Sequence, residues 1–204
     1  MIIELKQKNK ELFEANFEIL QNNNQIGNIN IKGKLGSMEV KATGVFSNQE
    51  LELNYKGERN GQYRPYNITI DKKEIGEIYQ CNKKTGLFSS YDYIELLYNS
   101  KKYIEYSIGL GKEGGKLPIY LNDEQIAQID TEAIIYDDLY NYKLYIMNNE
   151  NALIAIIIAC YNYINACFEP GVKQEKSIYK NYSKTFDKYL ISKYNSDWIK
   201  NVKE

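Results

Sequence analysis

With 26 Lys and Arg against 27 Asp and Glu in 204 residues, the chain carries a net charge of −1 and no global field that would draw it to nucleic acid. It has no histidine, which removes the commonest general base, the usual Ser and Cys triads and most zinc sites together. Three cysteines without paired spacing, Cys81, Cys160 and Cys167, make neither a disulfide framework nor a zinc site, and the length suits one domain with an appendage.

The opening Met1-Ile2-Ile3-Glu4-Leu5-Lys6 lacks a basic start, an apolar stretch and a small-residue cleavage site, so it predicts no secretory signal and a cytoplasmic chain. From Ile2 to Met147, β-branched and aromatic residues alternate with polar ones between turns rich in Asn, Gly and Asp, the pattern of short strands. Three hairpins repeat one another. Phe17-Glu18-Ile19-Leu20 leads through Asn22-Asn23-Asn24 to Ile26-Gly27-Asn28-Ile29. Asn67-Ile68-Thr69-Ile70 leads through Asp71-Lys72-Lys73 to Ile75-Gly76-Glu77-Ile78, and Pro118-Ile119-Tyr120-Leu121 leads through Asn122-Asp123 to Ile126-Ala127-Gln128-Ile129. Adding Ile2 to Lys6, Met38 to Thr43, Glu50 to Tyr55, Tyr91 to Tyr98, Tyr103 to Gly109 and Tyr140 to Met147 brings the count to about twelve strands.

A helix follows, from Asn148 to Phe168. Asn148 or Asn149 is placed to cap its first turn, Glu150 meets the positive end of its dipole, and Pro170-Gly171 stops it. The rod of about 20 residues, roughly 30 Å long, is apolar in every direction from Ala152 to Tyr161, so something must surround it. A membrane-spanning segment wants about 18 consecutive apolar residues, and Asn162 and Asn165 interrupt this one. Protein is the expected wrapper. Barrel diameter grows with strand number, and a can of about 11 strands already holds an axial helix. The expectation is a mainly β fold: a closed antiparallel barrel of about twelve strands around a central hydrophobic helix. The alternative is a two-sheet sandwich with the helix at one open end.

Leu5-Lys6-Gln7-Lys8, the hairpin from Phe17 to Lys32 and the repeated Ile-Gly-x-Ile turns carry a resemblance over residues 1–169. So does the end, Asp138-Leu139-Tyr140-Asn141-Tyr142, then the helix with Ala159-Cys160-Tyr161, closing on Phe168-Glu169. The chain resembles the tubby C-terminal-like superfamily, especially its LURP-one-related and phospholipid-scramblase branches. The resemblance implies a barrel of about twelve strands around a hydrophobic helix. Tubby proteins bind phosphoinositide headgroups through basic residues on the barrel, but none of their motifs maps residue by residue onto this chain. Scramblases carry an acidic, calcium-associated segment before the last strand. Asp138 matches it, with Asp130, Glu132 and Asp137 nearby, yet its later acidic positions fall on Asn148 and Asn149. A solvated acidic turn without metal is the expectation here.

Gly109-Leu110-Gly111-Lys112-Glu113-Gly114 has the spelling of a dinucleotide fingerprint, but Lys116 to Tyr120 continues as a strand where that site needs a helix. It reads as a barrel loop. Both arginines, Arg59 and Arg64, lie in one Gly-containing loop near Lys56, with Lys72 and Lys73 in the next turn, a cluster able to grip phosphate by guanidinium forks. Past Gly171, Ile178, Tyr182, Phe186, Tyr189 and Leu190 fall on one helical face while Lys176, Lys180, Lys184 and Lys188 recur every fourth residue beside it. Such a basic amphipathic helix suits an anionic membrane, with Trp198 as an interfacial anchor, or packs its apolar side on the barrel mouth or a partner subunit. Asn195-Ser196 is placed to break it.

The sequence thus predicts a non-enzymatic, cytoplasmic barrel over residues 1–170 and a helical extension over 171–204, without cofactor, metal or membrane span. Lys56, Arg59 and Arg64 are the candidate phosphate site, and Lys176, Lys180, Lys184, Lys188 and Trp198 the candidate face for anionic phospholipid at a membrane periphery. The alternative is a protein-interaction module whose C-terminal helix contacts a partner.

Overall fold

The structure is a computed structural model that describes residues 1–36, 39–57, 62–86 and 90–202. Its strands in the first half are β1 (Ile2–Lys10), β2 (Glu14–Gln21), β3 (Asn24–Lys32), β4 (Lys41–Phe46), β5 (Gln49–Tyr55), β6 (Tyr63–Ile70), β7 (Lys73–Lys84) and β8 (Ser90–Tyr98). There follow β9 (Lys101–Tyr106), β10 (Ile108–Gly109), β11 (Gly115–Leu121), β12 (Glu124–Thr131), β13 (Ile134–Tyr136) and β14 (Asn141–Ile146). Helix α1 (Ala152–Ala166), β15 (Ile178–Lys180) and α2 (Lys188–Lys193) complete the chain. Each strand from β1 to β9 pairs with the next, β9 pairs with β11, β11 with β12, β12 with β14 and β14 back with β1, closing a 12-strand antiparallel barrel. All the strands read from the sequence lie in this wall. The run expected from Met38 begins at Lys41 instead, and Met38 itself lies outside the described residues.

The wall forms because alternate side chains face inward; on β2, Ala15, Phe17 and Ile19 are buried while their neighbours are partly exposed. Five two-residue turns join the strands at one end: Asn22-Asn23, Ser47-Asn48, Asp71-Lys72, Asn99-Ser100 and Asn122-Asp123, every residue at φ between 48 and 66. Two successive left-handed residues are the signature of the type I′ hairpin, and Asn and Asp tolerate that region better than other non-glycine residues. The other strand-to-strand connections leave from the opposite, upper end, while the link from β14 to α1 stays at the lower one.

The repeated hairpins have a shared defect. In each, the pairing slips one place: Ile19 faces Gly27 but Leu20 faces Gln25, Ile68 faces Gly76 but Thr69 faces Glu74, and Ile119 faces Ala127 but Tyr120 faces Gln125. The extra residues are Ile26, Ile75 and Ile126, bulged so that they pack against the core. In the first two hairpins the glycine after the bulge is needed for close approach, since a Cβ on Gly27 would sit 2.2 Å from the Val45 carbonyl oxygen and one on Gly76 1.9 Å from that of Leu97; the third has Ala127 there.

Helix α1 threads the barrel from its lower end. It has 15 residues where about 20 were expected, because a 3-10 turn at Asn149–Asn151 precedes it. Neither Asn148 nor Asn149 caps it with a side chain; the Asn151 N–H donates to the Asn148 carbonyl at 2.9 Å, so backbone takes the role expected of the asparagines. Ile156, Ile157, Ile158 and Ala159 are fully buried, and only Asn162, Asn165 and Ala166 of the helix escape full burial. At the top, the N–H groups of Cys167 and Phe168 both donate to the Tyr163 carbonyl at 2.9 Å, ending the helix ahead of Pro170-Gly171.

One carboxylate is shut inside. Glu105 on β9 is 1 % exposed, and its Oε1 has no hydrogen-bond partner among the described residues. Burial pushes its pKa up to about 8, an effect the Asn162 amide beside it partly offsets. The folded chain thus keeps a proton that the unfolded chain releases near 4.5, so stability falls as pH rises from about 5 to 8. Urea unfolding across that interval is expected to show a slope approaching 1.4 kcal/mol per pH unit, about the value for one proton, and Glu105→Gln is expected to flatten it. Ile157→Ala, by opening a hole beside the wall, is expected to cost about 2–5 kcal/mol in the same measurement.

Candidate functional site

The upper mouth holds a pocket of about 320 Å³ lined by Val40, Arg64, Tyr66, Asn165, Phe168 and Pro170, among others. Arg64 enters it because β6 bulges between Tyr63 and Tyr66, leaving Arg64 at φ 47, a conformation rare outside Gly, Asn and Asp. The Tyr161 hydroxyl lies within reach of the carbonyls of Tyr63 (3.1 Å) and Arg64 (2.9 Å) and ties the bulge down from inside. Arg64 Nη1 donates to the Asn165 carbonyl at 2.9 Å, placing a cation at the negative end of the α1 dipole. The other guanidinium N–H groups make no hydrogen bond among the described residues. The Asn165 amide lies beside the Tyr161 hydroxyl, but neither of its polar atoms reaches hydrogen-bond geometry.

The other expected phosphate ligands are dispersed. Lys56 shares the hairpin, its N–H donating to the Pro65 carbonyl at 2.9 Å, but its Nζ is paired with Glu77 at 3.0 Å. Arg59 lies outside the described residues. Lys72 and Lys73 are at the lower end, on the Asp71-Lys72 turn, and cannot join the cluster.

Beside the pocket, on the rim at Gly171, is an apolar patch that the sequence reading missed. Leu12 is 45 % exposed, Phe13 40 %, Leu35 73 % and Val172 39 %. Gly171, at φ 93, gathers them: its N–H donates to the Leu12 carbonyl, and a Cβ there would lie 2.5 Å from Leu35 and 3.9 Å from Phe13. Its signal was bulky apolar residues in loops that are otherwise polar.

The long amphipathic helix expected past Gly171 does not form. A C-terminal helix exists, but α2 spans only Lys188–Lys193, capped by Asp187 Oδ1, which accepts from the N–H groups of Tyr189 (2.9 Å) and Leu190 (3.1 Å). Upstream of it the tail is extended. β15 pairs with β13, Asn181 N–H donates to the Ala133 carbonyl at 2.8 Å, Gly111 N–H to that of Ser183 at 2.8 Å, and Thr185 N–H to that of Gly109 at 3.0 Å. These open backbone edges offer partners that a surface helix would forgo, and the β-branched and aromatic residues around Ile178 favour extension. The glycines of 109–114 are thereby explained: a Cβ on Gly109 would sit 2.6 Å from the Ser183 carbonyl oxygen, and Gly111 and Gly114 have φ of 63 and 78.

Lys176, Lys180, Lys184 and Lys188 are exposed but no longer share a stripe. Leu190 packs with Tyr91, Tyr106 and Ile108 on the outer wall, and Lys193 Nζ sits 5.6, 5.2 and 5.3 Å from the rings of Tyr106, Tyr120 and Tyr189. Trp198 is a clasp, not an interfacial anchor: it is 8 % exposed, with Nε1 donating to the Gln125 carbonyl at 3.1 Å. The segment around Asn195-Ser196 does break the helix, and a 3-10 turn follows at Trp198–Asn201.

The acidic segment is spent on protein partners: Asp138 on the buried Lys10 at 2.5 Å, Asp130 on Lys116 at 2.6 Å, Glu132 on Asn141 at 3.1 Å. Among the described residues no cluster has the makings of a metal site. Burial pushes the thiols of Cys160 and Cys167 up to about 12 and 11, and Cys81, on the outer wall beside Glu95, is raised by burial and by that carboxylate, so none is an activated nucleophile. No helix among the described residues is long and apolar enough to cross a membrane.

Leu190→Asp is expected to release the tail while leaving the barrel folded, seen as rapid tryptic cleavage beyond residue 172 with a protected barrel fragment. Lys193→Ala, which removes the cation from the tyrosine rings, is expected to loosen the tail by about 1 kcal/mol in hydrogen exchange of α2. Compared with known proteins, the chain matches no family model, no curated protein and no solved structure.

Proposed function

We propose that this chain is a non-enzymatic binding protein whose upper rim docks on an anionic phospholipid surface, with Arg64 meeting a headgroup phosphate. The observation that carries the reading is the exposed apolar patch of Leu12, Phe13, Leu35 and Val172, gathered at Gly171 beside a pocket whose arginine has unused donors. An amphiphile needs both: apolar area for acyl boundary and a forked donor for phosphate. The tubby-like, LURP-one-related and scramblase-like resemblance belongs to the same proposal. Support for a non-enzymatic role comes from the lack of histidine, from the high thiol pKa values and from Glu105, whose raised pKa lies in a closed interior and not in a cleft.

The protein-partner alternative rests on the tail, where Ile178 (65 % exposed) and Phe186 (79 %) stay uncovered while α2 spends its leucine on the chain's own wall. The two readings separate by substitution. Co-sedimentation with vesicles containing phosphatidylserine is expected to retain the protein. The pair Phe13→Ser and Leu35→Ser should weaken retention at least about tenfold, since burying each such side chain contributes about 1.5–3 kcal/mol. Ile178→Ser with Phe186→Ser should leave it unchanged. Protein that stays in the supernatant with both neutral and anionic vesicles overturns the lipid reading.

A further inference from the structure

The lower mouth contains a second pocket, of about 340 Å³, where α1 begins. Two almost buried polar side chains line it without partners: Tyr103 is 4 % exposed and Asn151 6 %, and neither side chain makes a hydrogen bond among the described residues. Their polar atoms open into the pocket, where a ligand can replace the water that otherwise bonds them. The N–H groups of Asn151 and Ala152 are taken by the 3-10 turn that leads into α1, so what this end of the barrel offers an oxyanion is the positive end of the helix dipole.

Charge on the rim narrows the ligand. Lys101, Glu124 and Glu150 all line the pocket, yet none is in an ion pair with another or with any described residue. Opposite charges held apart around one concavity suit a ligand that carries both. Leu121 and Met147 add apolar surface to the same walls.

We infer that the lower mouth binds a small zwitterion of the α-amino acid class. Its carboxylate lies on the helix N-terminus with Asn151, Tyr103 and Lys101, its ammonium faces Glu124 and Glu150, and an apolar side chain rests on Leu121 and Met147. This site is at the other end of the barrel from the lipid-docking rim and does not depend on it.

The test is thermal unfolding and isothermal titration of the full chain with L-leucine and L-methionine, beside 4-methylpentanoate, which lacks the ammonium, and isopentylamine, which lacks the carboxylate. An amino acid at ten times its Kd is expected to raise Tm by about 3–5 °C, with little effect from either single-charge compound. Asn151→Ala and, as an exposed control for folding, Lys101→Ala should each weaken binding at least tenfold, about 1.4 kcal/mol. No shift with either amino acid, equal shifts with the amine or the acid alone, or binding untouched in both variants overturns the inference.

Discussion

A helix with no polar face has to be wrapped on every side, and that requirement organises the molecule. Ile156 to Ala159 are wholly buried, so the wall must close, and closing it removes the sheet edges that would otherwise stay open. Twelve strands give a ring wide enough for the rod, and their inward residues fill the annulus between. The two asparagines that interrupt the helix mark where it meets polar structure. Asn162 lies beside the enclosed Glu105, and Asn165 comes out into the upper mouth under Arg64.

Threading one helix through a closed wall makes the two ends unlike. Short left-handed turns and the positive helix terminus lie at the bottom; long connections, the negative terminus and the departing chain lie at the top. Arg64 answers the negative end, which is why its guanidinium is aimed inward and not out at solvent. An arginine compensating a helix terminus and an arginine offering donors to a phosphate are compatible, since one N–H is used and the fork remains.

The tail shows how open backbone edges outrank helical periodicity. Residues 176–187 have the spacing of an amphipathic helix, but β13 and the glycine loop present unpaired N–H and carbonyl groups within reach. Pairing with them costs the tail its stripe of lysines. Lys193 finds a different use, among three tyrosine rings on the outer wall, and Leu190 and Trp198 hold the end of the chain against the barrel.

What the sequence determined by itself was whatever depends on neighbours along the chain. Alternation located every strand of the barrel, the all-round apolar run located α1, and the repeated pattern of Ile26-Gly27, Ile75-Gly76 and Ile126-Ala127 marked three hairpins, though not that each is bulged at its isoleucine. Tertiary structure decided everything that depends on what lies opposite. It separated Lys72 and Lys73 from Arg64 by the length of the barrel, paired Lys56 with Glu77, assembled the rim from loops distant in sequence and left Tyr103 and Asn151 facing a pocket without partners. The physical reason is that periodicity records which way a side chain points from its own element, while charge pairing, backbone edges and unfilled hydrogen bonds are settled between elements, once the wall has closed around the helix.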